Sequence, residues 1–266
     1  MSAAFQRGGT ALITGASGGI GAELARVFAA KGHDLVLVAR GETALRELAG
    51  SLERQHGIAT RCVALDLSAA DAPQALAHEL AAAGIPVDIL VNNAGFASYG
   101  PFAALDAAAD LNMIQLNVAA VTHLCKLFLP PMLERRRGKI LNIASTAAFQ
   151  PGPLMAVYYA TKAYVLSLSE ALAEETRGTG VTVTALCPGP TASGFQARAA
   201  MEQSKLVKDR AIMDAATVAE EGYRALMGGR LLTIPGLQNR LGAFAVRLMP
   251  RRAVLKLVKG MQERAG

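Results

Sequence analysis

Tyr158 and Lys162 stand four residues apart. On a helix that spacing places the phenol and the amine on one face, a turn from each other. A tyrosine with its ordinary pKa of about 10 is a poor acid-base group at neutral pH unless a positive charge stabilises its phenolate. Lys162 supplies such a charge, so the pair can move a proton. Tyr159 lies three residues from the same lysine, and spacing alone does not remove it as a competitor. Upstream stand a hydroxyl at Ser145 and an amide at Asn117. Near the start, Thr14-Gly15-Ala16-Ser17-Gly18-Gly19-Ile20-Gly21 crowds glycines between an apolar run, Ala11 to Ile13, and a helical pattern that begins at Ile20. Bare backbone allows close approach, and the N–H groups at a helix start favour an anion. Gly15, Gly19 and Gly21 fit Gly-x-x-x-Gly-x-Gly, which suits a dinucleotide pyrophosphate. The rival cradle GxxxxGK[ST] fails, because Ile20 and Gly21-Ala22 occupy the places of its final Gly and its Lys-Ser/Thr pair.

The elements that must position these groups can be read from periodicity. Short β-branched and Leu-rich runs alternate with helical periods, the pattern of βαβ units and a parallel sheet. Strands are expected at Thr10–Ile13, Asp34–Ala39, Arg61–Leu65, Asp88–Asn92, Lys139–Ala144 and Val181–Leu186, with Leu231–Ile234 as a final or edge strand. Helices are expected from Ile20 to about Lys31, from Thr43 to Gln55, from a start marked by Ser68 and Pro73, after Asp106, and from Met155 to Arg177. The Met and Leu stripe of that last helix is expected in the core. Residues 191–215 have weak periodicity. The order predicts an α/β fold, one doubly wound Rossmann-like domain with about seven parallel strands and helices on both faces, whose crevices lie at the strand C-termini.

Taken together, the motifs resemble the short-chain dehydrogenase/reductase family over about residues 8–236. The resemblance rests on the glycine stretch, Asp66-Leu67, Asn92-Asn93-Ala94-Gly95, Asn117, Ser145, Tyr158-x-x-x-Lys162, and Pro188-Gly189 with Thr191. It implies that Tyr158 rather than Tyr159 is the acid-base group and that Tyr159 packs beside the substrate or a neighbouring helix. It implies that Ser145 orients the carbonyl or stabilises the oxyanion, that Lys162 also holds the nicotinamide ribose, and that Asn117 positions a water in a proton relay. The implied catalytic set is Asn117, Ser145, Tyr158 and Lys162. The implied cofactor set is Gly15, Ser17, Gly19, Ile20, Gly21, Arg40, Asp66, Leu67, Asn93, Ala94, Gly95, Tyr158, Lys162, Pro188, Gly189 and Thr191. The expected reaction is hydride transfer between NADP(H) and a carbonyl or secondary alcohol. Strand two ends Val38-Ala39-Arg40, with no acid for a ribose 2′-OH, and Arg40 favours a 2′-phosphate, so NADP(H) is expected over NAD(H). The alternative is a catalytically idle NADP-binding regulator or scaffold of the same fold. In the segments that vary most within the family, Phe149, Leu154, Met155, Phe195, Met201, Leu206, Ile212 and Met213 suit an apolar substrate such as an acyl, steroid, terpenoid or aromatic ketone, or else pack a lid. The family also implies a homodimer or homotetramer.

Composition bounds the remaining classes. With 266 residues, 52% hydrophobic and 18% charged, the chain suits one large domain. No run of about 18 uncharged apolar residues and no signal peptide is evident, which gives the expectation of a cytoplasmic protein. Cys62, Cys125 and Cys187 are far apart and read as buried thiols in a reducing compartment. No spacing suggests a metal site, and His33, His56, His78 and His123 read as structural. Residues 1–236 form the expected catalytic domain. Residues 237–266 form a basic extension: seven basic residues against Glu263 alone carry the whole net charge of +6, and the neutral body offers no nucleic-acid groove. In that extension Leu241, Phe244, Ala245 and Leu248, then Val254, Leu257, Val258 and Met261, make apolar stripes on either side of Pro250. Two such basic amphipathic helices can lie on an anionic membrane, giving peripheral contact, or dock on the protein's own body or on a partner subunit.

Overall fold

The computed structural model describes residues 8–193 and 212–263. The chain runs β1 Thr10–Thr14, α1 Gly19–Ala30, β2 Asp34–Ala39, α2 Glu42–His56, β3 Thr60–Ala64, α3 Ala72–Ala82, β4 Ile89–Asn92, α4 Ala107–Ile114, α5 Val121–Glu134, β5 Gly138–Ile143, α6 Ala156–Glu175, β6 Val181–Leu186, β7 Thr191–Ala192, β8 Met213–Asp214, α7 Ala215–Met227, β9 Leu232–Thr233, α8 Leu237–Leu248 and α9 Arg251–Gln262. Seven strands form one parallel sheet in the order β3-β2-β1-β4-β5-β6-β9, and β7 pairs with β8 beside it. The chain starts in the middle of the sheet, winds out to β3, and returns across β1 to β4, which leaves a crevice between the C-terminal ends of β1 and β4.

Alternation along the strands sends side chains to both faces, and both are covered. Leu12, Val36 and Leu90 pack with residues of α3, α5 and α6. Ala11, Ile13, Leu35 and Leu37 pack on the other face with α1, α2 and α7. This two-sided burial is why the strands read as continuous apolar runs. Asn92, at the end of β4, is buried and donates to Asn142 at 2.8 Å, which in turn donates to Ser169 at 2.9 Å. His33 is also structural. Its ring contacts the Gly9 carbonyl at 3.3 Å and the Tyr223 hydroxyl at 3.1 Å, and burial lowers its pKa.

The helix expected after Asp106 differs in one respect. Asp106 caps it by accepting from the Ala108 and Ala109 N–H groups, but at Gln115–Ala120 the backbone widens into a π turn before α5 continues. A π turn inserts a residue and rotates the rest of the helix about its axis, and such turns are frequent at functional sites. This one contains Asn117. The whole span Ala107–Glu134 has a mean hydropathy of 1.3 over its most apolar window, so one helix has the length and composition of a membrane span. Leu124, Cys125, Phe128 and Met132 are buried against the sheet, as in a core helix.

Candidate active site

The glycine loop joins β1 to α1. Gly15 has φ of 67°, which an L side chain resists. A Cβ on Gly15 would lie 2.8 Å from the Asn93 amide nitrogen, and one on Gly21 would lie 2.3 Å from the Gly15 carbonyl oxygen. Gly21 thus lets α1 settle onto the loop from behind, whereas Gly15, Ser17, Gly19 and Ile20 line a cavity of about 580 Å³. α1 has no side-chain cap and no acid in its first turn. Its free N–H groups and the positive end of its dipole suit a phosphate, so this end fits a dinucleotide.

Hydrogen bonds from β4 hold that loop. The Thr14 hydroxyl donates to the Val91 carbonyl at 3.2 Å and accepts from the Asn93 and Ala94 N–H groups at 2.9 and 3.0 Å. The Asn93 amide donates to the Thr14 and Gly15 carbonyls at 2.9 and 3.2 Å. Both side chains therefore stitch the two strand ends together across the crevice. Thr14 does not stand out as a site residue in its sequence context, although a hydroxyl at the end of a buried strand is the available signal.

At the rim, Arg40 and Asp66 come just after β2 and β3 and stand 4.0 Å apart, both well exposed to solvent. Such a pair contributes little, which leaves the guanidinium available to another anion. The Ser68 N–H and hydroxyl donate to Asp66 at 3.0 and 2.7 Å, and the N–H bond chiefly keeps its carboxyl below the ordinary range. Leu67, Asn93, Ala94, Gly95, Pro188, Gly189 and Thr191 line the same cavity.

Ser145, Tyr158 and Lys162 form its inner wall. Ser145 sits just beyond β5 and accepts the Ala147 N–H at 3.1 Å, which caps the short turn Thr146–Phe149. The hydroxyls of Ser145 and Tyr158 are hydrogen-bonded. Lys162 donates to the Ile143 carbonyl at 2.8 Å and stands 5.8 Å from the centre of the Tyr158 ring. Spacing alone makes Lys162 the group that eases ionisation of the tyrosine. In the structure burial is the larger effect: it pushes the Tyr158 hydroxyl up, with the Ser145 bond pulling the other way, and brings the Lys162 amine down to about 8. Tyr158 therefore keeps its proton at neutral pH.

Asn117 lies one layer behind this wall rather than in it. Its amide donates to the Phe96 carbonyl at 3.0 Å and to Thr161 at 3.1 Å, and its oxygen accepts the Phe96 N–H at 3.2 Å. A Cβ on Gly95 would lie 3.0 Å from that oxygen and 3.6 Å from the Lys162 nitrogen. The amide thus fixes the loop after β4 against α6, next to the lysine.

The roof is the C-terminal extension. Val246, Met249, Val254, Val258 and Met261 from α8 and α9 line the cavity opposite the strand ends. Gln262 is fully buried. Its side-chain amide donates to the Tyr159 hydroxyl at 2.6 Å, and its carbonyl accepts from the Tyr99 hydroxyl at 2.5 Å. The Tyr159 ring meets Tyr158 edge-on at 6.1 Å and lies so close to Gly152 that a Cβ there would be 2.2 Å from it. Tyr159 thus anchors the roof. Of the apolar residues expected around a substrate, Met155 lines the cavity. Phe149 and Met213 pack against the sheet, and Leu154 takes a strained φ of 68° just before α6. Ile212 is not among the lining residues, and Phe195, Met201 and Leu206 fall outside the described residues.

A family model described as short chain dehydrogenase matches residues 9–204. A human very-long-chain 3-oxoacyl-CoA reductase is 36% identical over 183 residues, covering 67% of this chain and 58% of that protein. The chain spans little more than half the length of several curated relatives, 53% to 61%. Among solved structures, a short-chain dehydrogenase from Sphingobium yanoikuyae in complex with NADPH is 35% identical, with a TM-score of 0.81 over 90% of this chain and 93% of that one. A bulky-bulky ketone specific alcohol dehydrogenase from Comamonas testosteroni is 31% identical, with a TM-score of 0.76 over 90% and 93%.

Proposed function

The chain belongs to the short-chain dehydrogenase family, and we propose that it interconverts an apolar carbonyl compound and the corresponding secondary alcohol, with NADP(H) as redox partner. The carrying observation is that Ser145, Tyr158 and Lys162 share one wall of a cavity whose far end is the glycine loop. Bound there, the dinucleotide supplies or accepts the hydride. In the reducing direction the Ser145 hydroxyl donates a hydrogen bond to the carbonyl oxygen, and Tyr158 gives its proton to that oxygen as negative charge develops on it. The phenolate that remains lies beside the Lys162 ammonium, which offsets its cost. The α1 N-terminus, Asp66, Asn93 and Thr191 border the dinucleotide end. Arg40 supports the 2′-phosphate form, as do neighbours that hold NADPH. Asn117 holds the loop after β4 against α6, the helix that carries Lys162.

The apolar roof supports a bulky substrate, and the named relatives act on very-long-chain 3-oxoacyl-CoA and on bulky ketones. Exposed Leu111, Ile114 and Tyr164 on α4 and α6 supply a surface for a homodimer or homotetramer. The free thiols Cys125 and Cys187, both buried, suit a reducing, cytoplasmic setting. The test is NADPH oxidation driven by bulky aromatic ketones and by long-chain 3-oxoacyl thioesters. Tyr158→Phe should bind NADPH normally yet lose roughly 10²-fold or more in kcat. If it keeps most of its turnover, the assignment of the proton to Tyr158 is wrong.

A further inference from the structure

The two helices of the roof carry similar apolar stripes and turn them in opposite directions. In α9, Val254, Val258 and Gln262 face inward and are buried. In α8 the side toward the cavity carries smaller residues, Gly242, Ala243 and Val246, of which Ala243 is buried. The large residues point away. Leu237, Leu241, Phe244 and Leu248 recur at i, i+4, i+7 and i+11, one helical face, and are 69%, 59%, 61% and 73% exposed. Isolated exposed leucines are ordinary, but four large apolar side chains in one row on the outside of a roof mark a contact surface.

The charge beside the row says what that contact is. Arg252, Lys256 and Lys259, at i, i+4 and i+7 of α9, lie opposite its buried face and are exposed, and Arg247 flanks the apolar row on α8. Arg240 is held by Glu221 at 3.6 Å, but among the described residues no ion pair engages Arg247, Arg251, Arg252, Lys256 or Lys259. The extension carries the full +6 of the protein while residues 1–236 are neutral. A second copy docking by two-fold symmetry would bring these cations face to face, at an electrostatic cost. A bilayer with anionic headgroups satisfies both features at once: apolar side chains enter the acyl boundary and the cations meet the headgroups.

We propose that the outer face of the roof, the α8 row together with the α9 cations, docks the protein on an anionic lipid surface. The α9 stripe stays on the cavity and the α8 stripe enters the interface, so the same two helices separate the bilayer from the substrate cavity. The inference stands on this surface and does not depend on the reaction.

Full-length protein is sedimented with vesicles of phosphatidylcholine alone or mixed with phosphatidylserine, across a salt series, with gel filtration alongside. The expected result is binding to the mixed vesicles, weak binding to phosphatidylcholine, and release as salt rises. Phe244→Asp with Leu248→Asp should lower partitioning at least about tenfold. Arg252→Glu with Lys256→Glu should remove the preference for anionic vesicles, about fivefold or more per site. Neither pair lines the cavity, and thermal unfolding and NADPH binding are measured on each to show that it folds. If the intact protein ignores anionic vesicles, or if the folded variants partition as it does, the proposal fails. It fails equally if the apolar pair changes the elution volume while vesicle binding stays at background, since the row is then a protein interface.

Discussion

Replacing Gln262 by Ala tests whether α9 is a fixed wall of the cavity or one held shut by a latch. Among the contacts that hold its end are the side-chain amide on the Tyr159 hydroxyl at 2.6 Å and the main-chain carbonyl on the Tyr99 hydroxyl at 2.5 Å. The substitution removes only the first. Leaving a buried hydroxyl without its donor costs about 1–3 kcal/mol. The amide oxygen of Gln262 has no partner among the described residues, and its removal returns part of that cost. The net loss should therefore fall near the low end, about 1–2 kcal/mol, equivalent to a factor of roughly 5–30 in the ratio of docked to undocked helix. Val254 and Val258, each worth about 1.5–3 kcal/mol when fully buried, keep the docked form dominant. Trypsin reports the undocked fraction directly, because Arg251, Arg252 and Lys256 lie on this helix and cleavage tracks the open population when reclosing is fast. Nicking of α9 should rise by that factor, with KM for the carbonyl substrate increasing several-fold and NADPH affinity unchanged. Tyr159→Phe removes the other half of the same bond, so its effect should be similar and the double variant little worse than either single one. Unchanged nicking, or a loss of NADPH affinity in step with the rise in KM, would refute the latch.

Arg40→Ala should raise KM for NADPH roughly 5- to 30-fold, the range for an exposed cation paired with a phosphate, and leave KM for NADH unaltered. Equal losses for both cofactors would show that Arg40 holds the loop rather than the 2′-phosphate. The pH dependence should reflect Lys162. Burial sets its amine at about 8, below the ordinary 10.5, so the positive charge is lost as pH rises through about 8, and carbonyl reduction should decline above that value. For stability the sign is opposite. Between about 8 and 10.5 the unfolded chain binds the proton that the folded lysine has released, so this residue contributes rising stability across that interval. A reduction rate that stays flat to pH 10 would remove Lys162 from the proton step.

The sheet was legible because two-sided burial writes itself into sequence as unbroken apolar runs: β2, at Asp34–Ala39, has the boundaries its composition suggests. The candidate site was legible where rare residue types stand at fixed spacing: Gly15, Gly19, Tyr158 and Lys162 line one cavity. The π turn at Gln115–Ala120 was not, since its residues are as helical in pattern as their neighbours and the insertion is a matter of backbone register. Nor was β7–β8, two residues each, too short to show any period. The roof shows the limit most plainly. Leu241 and Val254 open similar stripes at equivalent places, yet one is exposed and the other buried. A stripe tells that a helix has a sticky side, and only the shape of the body decides whether that side comes home.

Because α8 and α9 come after the last strand, none of their backbone enters the sheet ladder, and their hold on the body is through side chains and a few loop bonds. The floor of the cavity is different: the glycine loop, Ser145 and the loop after β4 hang from strand ends that cannot shift without disturbing the core. Exchanging residues 237–263 for a shorter or bulkier pair of helices should therefore alter which carbonyl compounds fit while leaving the proton and hydride chemistry in place. On the proposed reading, substrate range would sit on the tail and reactivity on the strand ends.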